Sequence, residues 1–269
     1  PNEQRRMMAE ALEVIVPLLH GEVVTKKTDW FELNEASSQL PPFQWPSPEV
    51  AVASAISPSG ASAAGMHGAG LLSLAASGPE GYAQLPKHWQ VCEETAAKHG
   101  QTVDRSNWRL VVPMHIAETR EQARADMEFG TLRLADYMEA LGGTKPPFAS
   151  STDAMLDAWT GPGLPIFGKL TCGTPDDAIL VIESLREQSG GFGTILFLVH
   201  NCANPAATSK SYELIARNVM PALNDSNRLR KRSMEWATKN AATFMPAMAG
   251  GIEKVILEYE KDRAARGGE

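Results

Sequence analysis

Residues 49–76, EVAVASAISPSGASAAGMHGAGLLSLAA, read as strand, small-residue turn, helix and strand. Glu49 to Ile56 is too short and too β-branched for a buried helix, and its apolar run without strict alternation suits a parallel strand covered on both faces. Pro58 suits a first helical turn, where its missing N–H would have had no partner, and Ser57 stands where a cap is wanted. Small residues from Gly60 to Gly65 let the helix lie close to its strand, and His67-Gly68 ends it before Gly70 to Ala76 forms the next strand. The result is one βαβ unit of a parallel sheet.

Backbone amides and the positive end of the helix dipole face outward at such a turn, and Ser57, Ser59 and Ser62 add hydroxyl donors without bulk. A phosphate fits there, although serines before a helix also serve simply as caps. From the residues alone both readings stay open.

Working outward, 269 residues are enough for a large core, and about 250 is the usual size of an eight-stranded (β/α) barrel. A net charge of −7 argues against nucleic acid or an anionic membrane as partner and leaves a small molecule. Cys92, Cys172 and Cys202 are odd in number and unpaired by spacing, which fits free thiols in a reducing cytoplasm. Neither a signal peptide nor an apolar stretch of about 20 residues is seen, so a soluble cytoplasmic protein is expected. His88 and His99 lack metal-site spacing; both are expected as solvated residues on a polar-rich helix, and no metal site is assigned.

Upstream of the βαβ unit, Glu3 to Leu19 is an amphipathic helix and Val23 to Leu33 a short hairpin. Pro41, Pro42, Pro46 and Pro48 exclude regular structure before the core strand. Trp30, Phe31, Phe43 and Trp45 are expected to cover the end of the fold or a partner subunit, with an aromatic ligand platform as the alternative. Downstream, a loop over 77–85 precedes a helix from Pro86 to Gly100, and Arg109 to Ala117 is a strand carrying His115 in its interior. Thr119 caps one long helix ending at Gly142-Gly143. Residues 143–172 break the alternation around a short helix, Thr152 to Thr160, which marks a functional or mobile excursion. Thr174, Pro175, Asp176 and Asp177 start the next helix, and Gly193 to His200 is a fourth strand. His200 and Asn201 lie at its carboxyl end, where folds of this kind bind ligands, and are the catalytic candidates. A helix from Ser211 to Leu223 closes residues 1–223, and 224–269 form a helical tail with an apolar stripe at Ile252, Val255, Ile256 and Tyr259. Four strands are half a barrel; the first and last are expected at open edges.

These residues carry a resemblance. EQRRMMAEALEVI at Glu3 to Ile15, KTDWFEL at Lys27 to Leu33, VASAISPSG at Val52 to Gly60, GLLSL at Gly70 to Leu74, GTPDD at Gly173 to Asp177, SGGFGTILFLVH at Ser189 to His200 and SYELIARNVMP at Ser211 to Pro221 are similar in order and spacing to luciferase-like flavin monooxygenases, especially the limonene monooxygenase-like branch. The resemblance implies an α/β TIM (β/α)₈ barrel of the bacterial luciferase type, present here as its C-terminal half. It implies reduced FMN, supplied by a flavin reductase, and O₂ acting on a small organic substrate, with a homo-oligomer in the full-length form. Phosphate contact is thereby carried onto Ser57, Ser59, Gly60 and Ser62. Cys202 stands where close relatives often have a bulky aromatic residue, so a wide pocket beside His200 is expected. Two alternatives stand beside this reading: a deazaflavin (F420)-dependent oxidoreductase of the same fold, and a non-catalytic flavin-binding fragment completed by a second chain.

Overall fold

The computed structural model describes residues 2–45, 47–143, 145–165 and 167–266. Pro46 and the last three residues of the expected tail lie outside them. By internal contacts the chain divides into one unit over 1–219 and a second over 220–269.

The first unit opens with α1 (Asn2–Leu19) and an antiparallel hairpin, β1 (Val24–Lys27) and β2 (Glu32–Ala36). Arg6 ties helix to hairpin, since its guanidinium bonds both Glu10 and Asp29 at 2.7–2.8 Å, and Trp30 Nε1 donates to Glu10 at 2.6 Å. Phe43 and Trp45, expected to cover part of the fold, are exposed.

The parallel sheet runs β3 (Ala51–Ser54), β4 (Gly70–Ser73), β5 (Arg109–Ile116) and β7 (Thr194–Leu198), all four strands lying within the segments expected. A three-residue strand absent from the sequence reading, β6 (Thr171–Gly173), pairs with the far end of β5. Pro113 falls between two partners on one edge of β5: β4 pairs through Leu110 and β6 begins at Met114, so the residue without an N–H sits in the gap, while β7 pairs along the opposite edge. Among the described residues β3 and β7 are the edges, and the sheet they bound does not close. β5 is buried on both faces from Leu110 to Ile116. β3, expected to be covered on both faces, alternates instead, with Ala51 and Ala53 exposed and Val52 and Ser54 buried. Only one side of an edge strand in an open sheet meets a layer of helices.

α2 (Ser59–Met66) joins β3 to β4, and Gly60 is obligatory because a methyl there would strike the Ala53 carbonyl. α3 (Pro79–Lys98) starts seven residues before the expected helix, with Pro79 in its first turn. Pro86 is therefore internal. The carbonyl it leaves without a helical donor is that of Tyr82, and Gln188 Nε2 supplies one at 3.2 Å. Gln188 belongs to α7 (Pro175–Ser189), which opens with a capping box between Thr174 and Asp177.

Between β5 and α7 the single helix expected from Thr119 is two, α4 (Arg120–Met127) and α5 (Thr131–Gly142), followed by α6 (Thr152–Thr160). The break falls at Gly130, whose N–H donates to Cys202 at 2.8 Å and where a side chain would collide with the Asn201 carbonyl. After β7 come α8 (Pro205–Leu214), capped by Asn204, and a π-helical turn over Ile215–Val219. In the second unit, α9 (Met220–Leu223) precedes α10 (Arg228–Arg266), which has no buried side chain. Among the described residues no helix is long and apolar enough to cross a membrane.

At the centre of the first unit Trp89 and Trp108 stack at 5.2 Å, and Trp108 Nε1 donates to Ser73 Oγ at 3.0 Å, both residues buried. Ser73→Ala strands that indole N–H in the core, so the variant should lose about 1–3 kcal/mol of stability in urea unfolding with little change in the slope.

Candidate functional site

All five strands of this sheet are parallel, so their carboxyl ends share one side of it. The turn after β3 carries Ser57, Ser59, Gly60 and Ser62; the residues after β7 are His200 and Asn201. The two groups share that side but follow opposite edge strands, separated by about 14 Å of sheet. No single small group touches both, whereas an elongated molecule can.

α2 begins one residue later than expected, with Pro58 in the cap position, so Ser57 does not cap it and no side chain bonds its first amides. A proline cannot cap, and the serine hydroxyl is occupied elsewhere: Ser57 and Ser59 Oγ lie 2.8 Å apart, both residues exposed. Ser54 Oγ donates to the Ser57 carbonyl at 3.0 Å, and His88 Nε2 bonds the Ile56 carbonyl at 3.1 Å. His88, expected on the surface, is fully buried, because this face of α3 packs under the β3 exit, where the ring meets the Ile56 carbonyl. The turn thus presents uncapped amides and hydroxyls outward and holds two of its carbonyls on buried side chains, a fit for a phosphate group.

At the other edge His200 lies edge-on to Phe167 at 5.1 Å, and its Nε2 is buried without a partner. Burial pushes the His200 imidazole below its ordinary range, which favours the neutral ring. Asn201 is exposed and holds φ of +54°, and Ala75 beyond β4 holds the same value. Non-glycine residues in the left-handed region are strained, and both sit just past carboxyl ends of strands. Among the described residues no wide pocket of the expected kind lies beside His200: the cavity there is about 10 Å³, lined by Trp159, His115 and Cys202. Packing of the excursion against the strand end has taken the space. Trp159 Nε1 faces no partner either.

His115, in the interior of β5, has a companion that its sequence position does not reveal. His115 Nε2 lies 3.0 Å from Asp126 Oδ2, and Gln122 holds the other carboxylate oxygen at 2.7 Å. An acid eleven residues on, past a helix start, gives no spacing signal. Burial raises the Cys172 and Cys202 thiols to about 11, so neither is a ready nucleophile at neutral pH.

The excursion between β5 and α7 has its own core of Met155, Leu156, Trp159, Leu164 and Leu170, with Cys202 from the strand end. Ser77 Oγ, just past β4, donates to the Lys169 carbonyl at 2.8 Å, which seats the excursion on that strand's exit. Beside the turn, a cavity of about 190 Å³ lies between Ile56, Ala75 and Pro79 on one side and Pro162 to Pro165 on the other. A larger one, about 400 Å³, is lined by Tyr82, Lys169, Leu180 and Ser184; neither the turn nor His200 reaches it. The strand ends are therefore the better candidate despite the smaller volume.

The profile of the family described as luciferase-like monooxygenase matches residues 1–188. The chain is 40% identical over 268 residues to limonene 1,2-monooxygenase of Rhodococcus erythropolis, covering 99% of this chain and 67% of that protein. Among solved structures, monooxygenase RslO1 from Streptomyces bottropensis superposes with a TM-score of 0.61 at 21% identity, over 82% of this chain and 62% of that one. The oxygenating component of 3,6-diketocamphane monooxygenase from Pseudomonas putida, in complex with FMN, gives 0.56 at 23% identity, over 80% and 63%. The chain thus spans roughly two thirds of each of these relatives.

Acid should act through the buried imidazoles. His88 and His200 both have values held below 6.5 by burial, so protonation favours the unfolded chain. Their contribution is complete above 6.5 and is lost as pH falls below it. Urea midpoints should therefore drop between about pH 7 and about pH 5, before most carboxylates protonate, and His200→Leu should flatten part of that drop.

Proposed function

The chain belongs to the luciferase-like monooxygenase family, and on that premise we propose that it serves a monooxygenase that uses reduced FMN and O₂ to oxygenate a small organic substrate. The observation that carries this reading is the uncapped turn after β3, in a chain 40% identical to a named monooxygenase over nearly its whole length. When bound, the reduced flavin supplies the electrons that activate O₂.

The chain's own residues bind, orient and exclude. Ser57, Ser59, Gly60 and Ser62 hold the phosphate; Gly60 is needed for the close approach of α2 to β3 that aims the helix amides there. The excursion, with its separate core and its anchor to Lys169, keeps water from the strand ends. His200, neutral and backed by Phe167, faces the cofactor side with Asn201 and can accept or donate a proton only through Nε2 or Nδ1 of an uncharged ring. The bare edges of β3 and β7 take the remaining strands of the barrel, from the same protein or from a second chain, and the reductant reaches the site through a separate flavin reductase.

Ser59→Ala with Ser62→Ala removes two hydroxyl donors to a charged group, each worth about 1.5–3 kcal/mol, so the Kd for FMN in fluorescence titration should rise at least tenfold. An unchanged Kd would return the serines to local structure. The absorption spectrum of the loaded protein separates FMN from a deazaflavin. For His200→Ala, turnover per folded molecule should fall more than thermal stability; the reverse result would make the imidazole structural.

A further inference from the structure

His88 is fully buried in α3, and among the described residues the one hydrogen bond of its side chain runs from Nε2 to the carbonyl oxygen of Ile56, 32 residues earlier in the chain. A carbonyl only accepts, so the proton sits on Nε2, and Nδ1 is left a bare acceptor, buried with no partner. A leucine would fill this place without stranding a nitrogen. What the imidazole adds is the bond to Ile56.

That bond fixes the orientation of a peptide. In a trans peptide the C=O and N–H point in opposite directions. Holding the Ile56 oxygen inward on His88 turns the Ser57 N–H outward, toward the exposed side that carries the paired Ser57 and Ser59 hydroxyls. Ser54, also buried, holds the next carbonyl, that of Ser57, inward as well, but the peptide it fixes ends at Pro58 and offers no N–H, so the Ser57 N–H is the donor that the pair presents. Were the Ile56–Ser57 peptide to flip, a carbonyl oxygen would face the mouth and repel an anion.

We propose that His88 is a positioning residue for the phosphate turn: it locks the Ile56–Ser57 peptide so that a phosphate monoester meets an N–H and not a carbonyl oxygen. The proposal rests on the assignment of the phosphate to this turn, and the test separates the two.

Oxidised FMN and riboflavin differ only in the phosphate, so the ratio of the riboflavin Kd to the FMN Kd reads that group alone. The wild-type ratio should be well above one. His88→Leu should lower it by about tenfold, the worth of one amide bond to a charged group, with riboflavin affinity unchanged. His88→Gln, which keeps an N–H donor, should recover part of the loss. If the leucine variant keeps the ratio, or weakens both ligands equally, His88 only packs the core and the proposal falls while the phosphate assignment stands. A wild-type ratio near one overturns both. Should the leucine variant fail to fold, ¹⁵N spectra of the wild type decide: the His88 Nε2–H signal should shift on saturation with FMN and not with riboflavin, and an unmoved signal overturns the proposal.

Discussion

β5 must find hydrogen-bond partners on both backbone edges and cover on both faces, and the rest of the first unit is arranged to meet that demand. β4 and β7 take its first half and β6 takes its end. Helices and the excursion bury its side chains from Leu110 to Ile116. Its neighbours inherit their places from it: β4 brings Ser73 to Trp108, and β7 delivers His200 to the same end as the turn after β3. A strand satisfied in this way cannot shift register without stranding amides in the core, so the positions of the functional loops follow from its pairing.

The βαβ unit was legible because its punctuation is local. Gly60, the run of small residues and the second apolar run say strand, close helix, strand with no help from distant residues. The same holds for Thr174 and Asp177, whose capping box is written in four consecutive positions. What escaped depended on partners far along the chain. Pro86 reads as a helix start until Gln188 is known to satisfy the carbonyl it frees. Gly130 reads as a tolerated helix glycine until Asn201 and Cys202 are placed against it. β6 is three residues long, too short for any periodicity, and exists because the end of β5 needs a partner.

The candidate site divides along the same boundary. Turn serines and the polar run after the last strand could be named from position alone, since carboxyl ends of parallel strands are where such folds place chemistry. Ser57 was assigned the wrong task by one residue, because Pro58 and not the serine occupies the cap. The polarity of its helical neighbours places His88 in solvent; its burial depends on Ile56, 32 residues earlier in the chain. The His115–Asp126 pair joins a strand interior to a helix across a turn, and sequence carries no mark of it.

Tyr82 and α7 meet at two levels. Gln188 reaches the Tyr82 carbonyl, and the Tyr82 hydroxyl pairs with Ser184 Oγ at 2.8 Å, one helical turn back. Two attachments spaced a turn apart act like two pins through the same pair of rods: α3 cannot slide along α7 without breaking both. Shear between these helices is thereby suppressed. Any opening over the strand ends is then a motion of the excursion against α3 and α7, which remain the fixed frame.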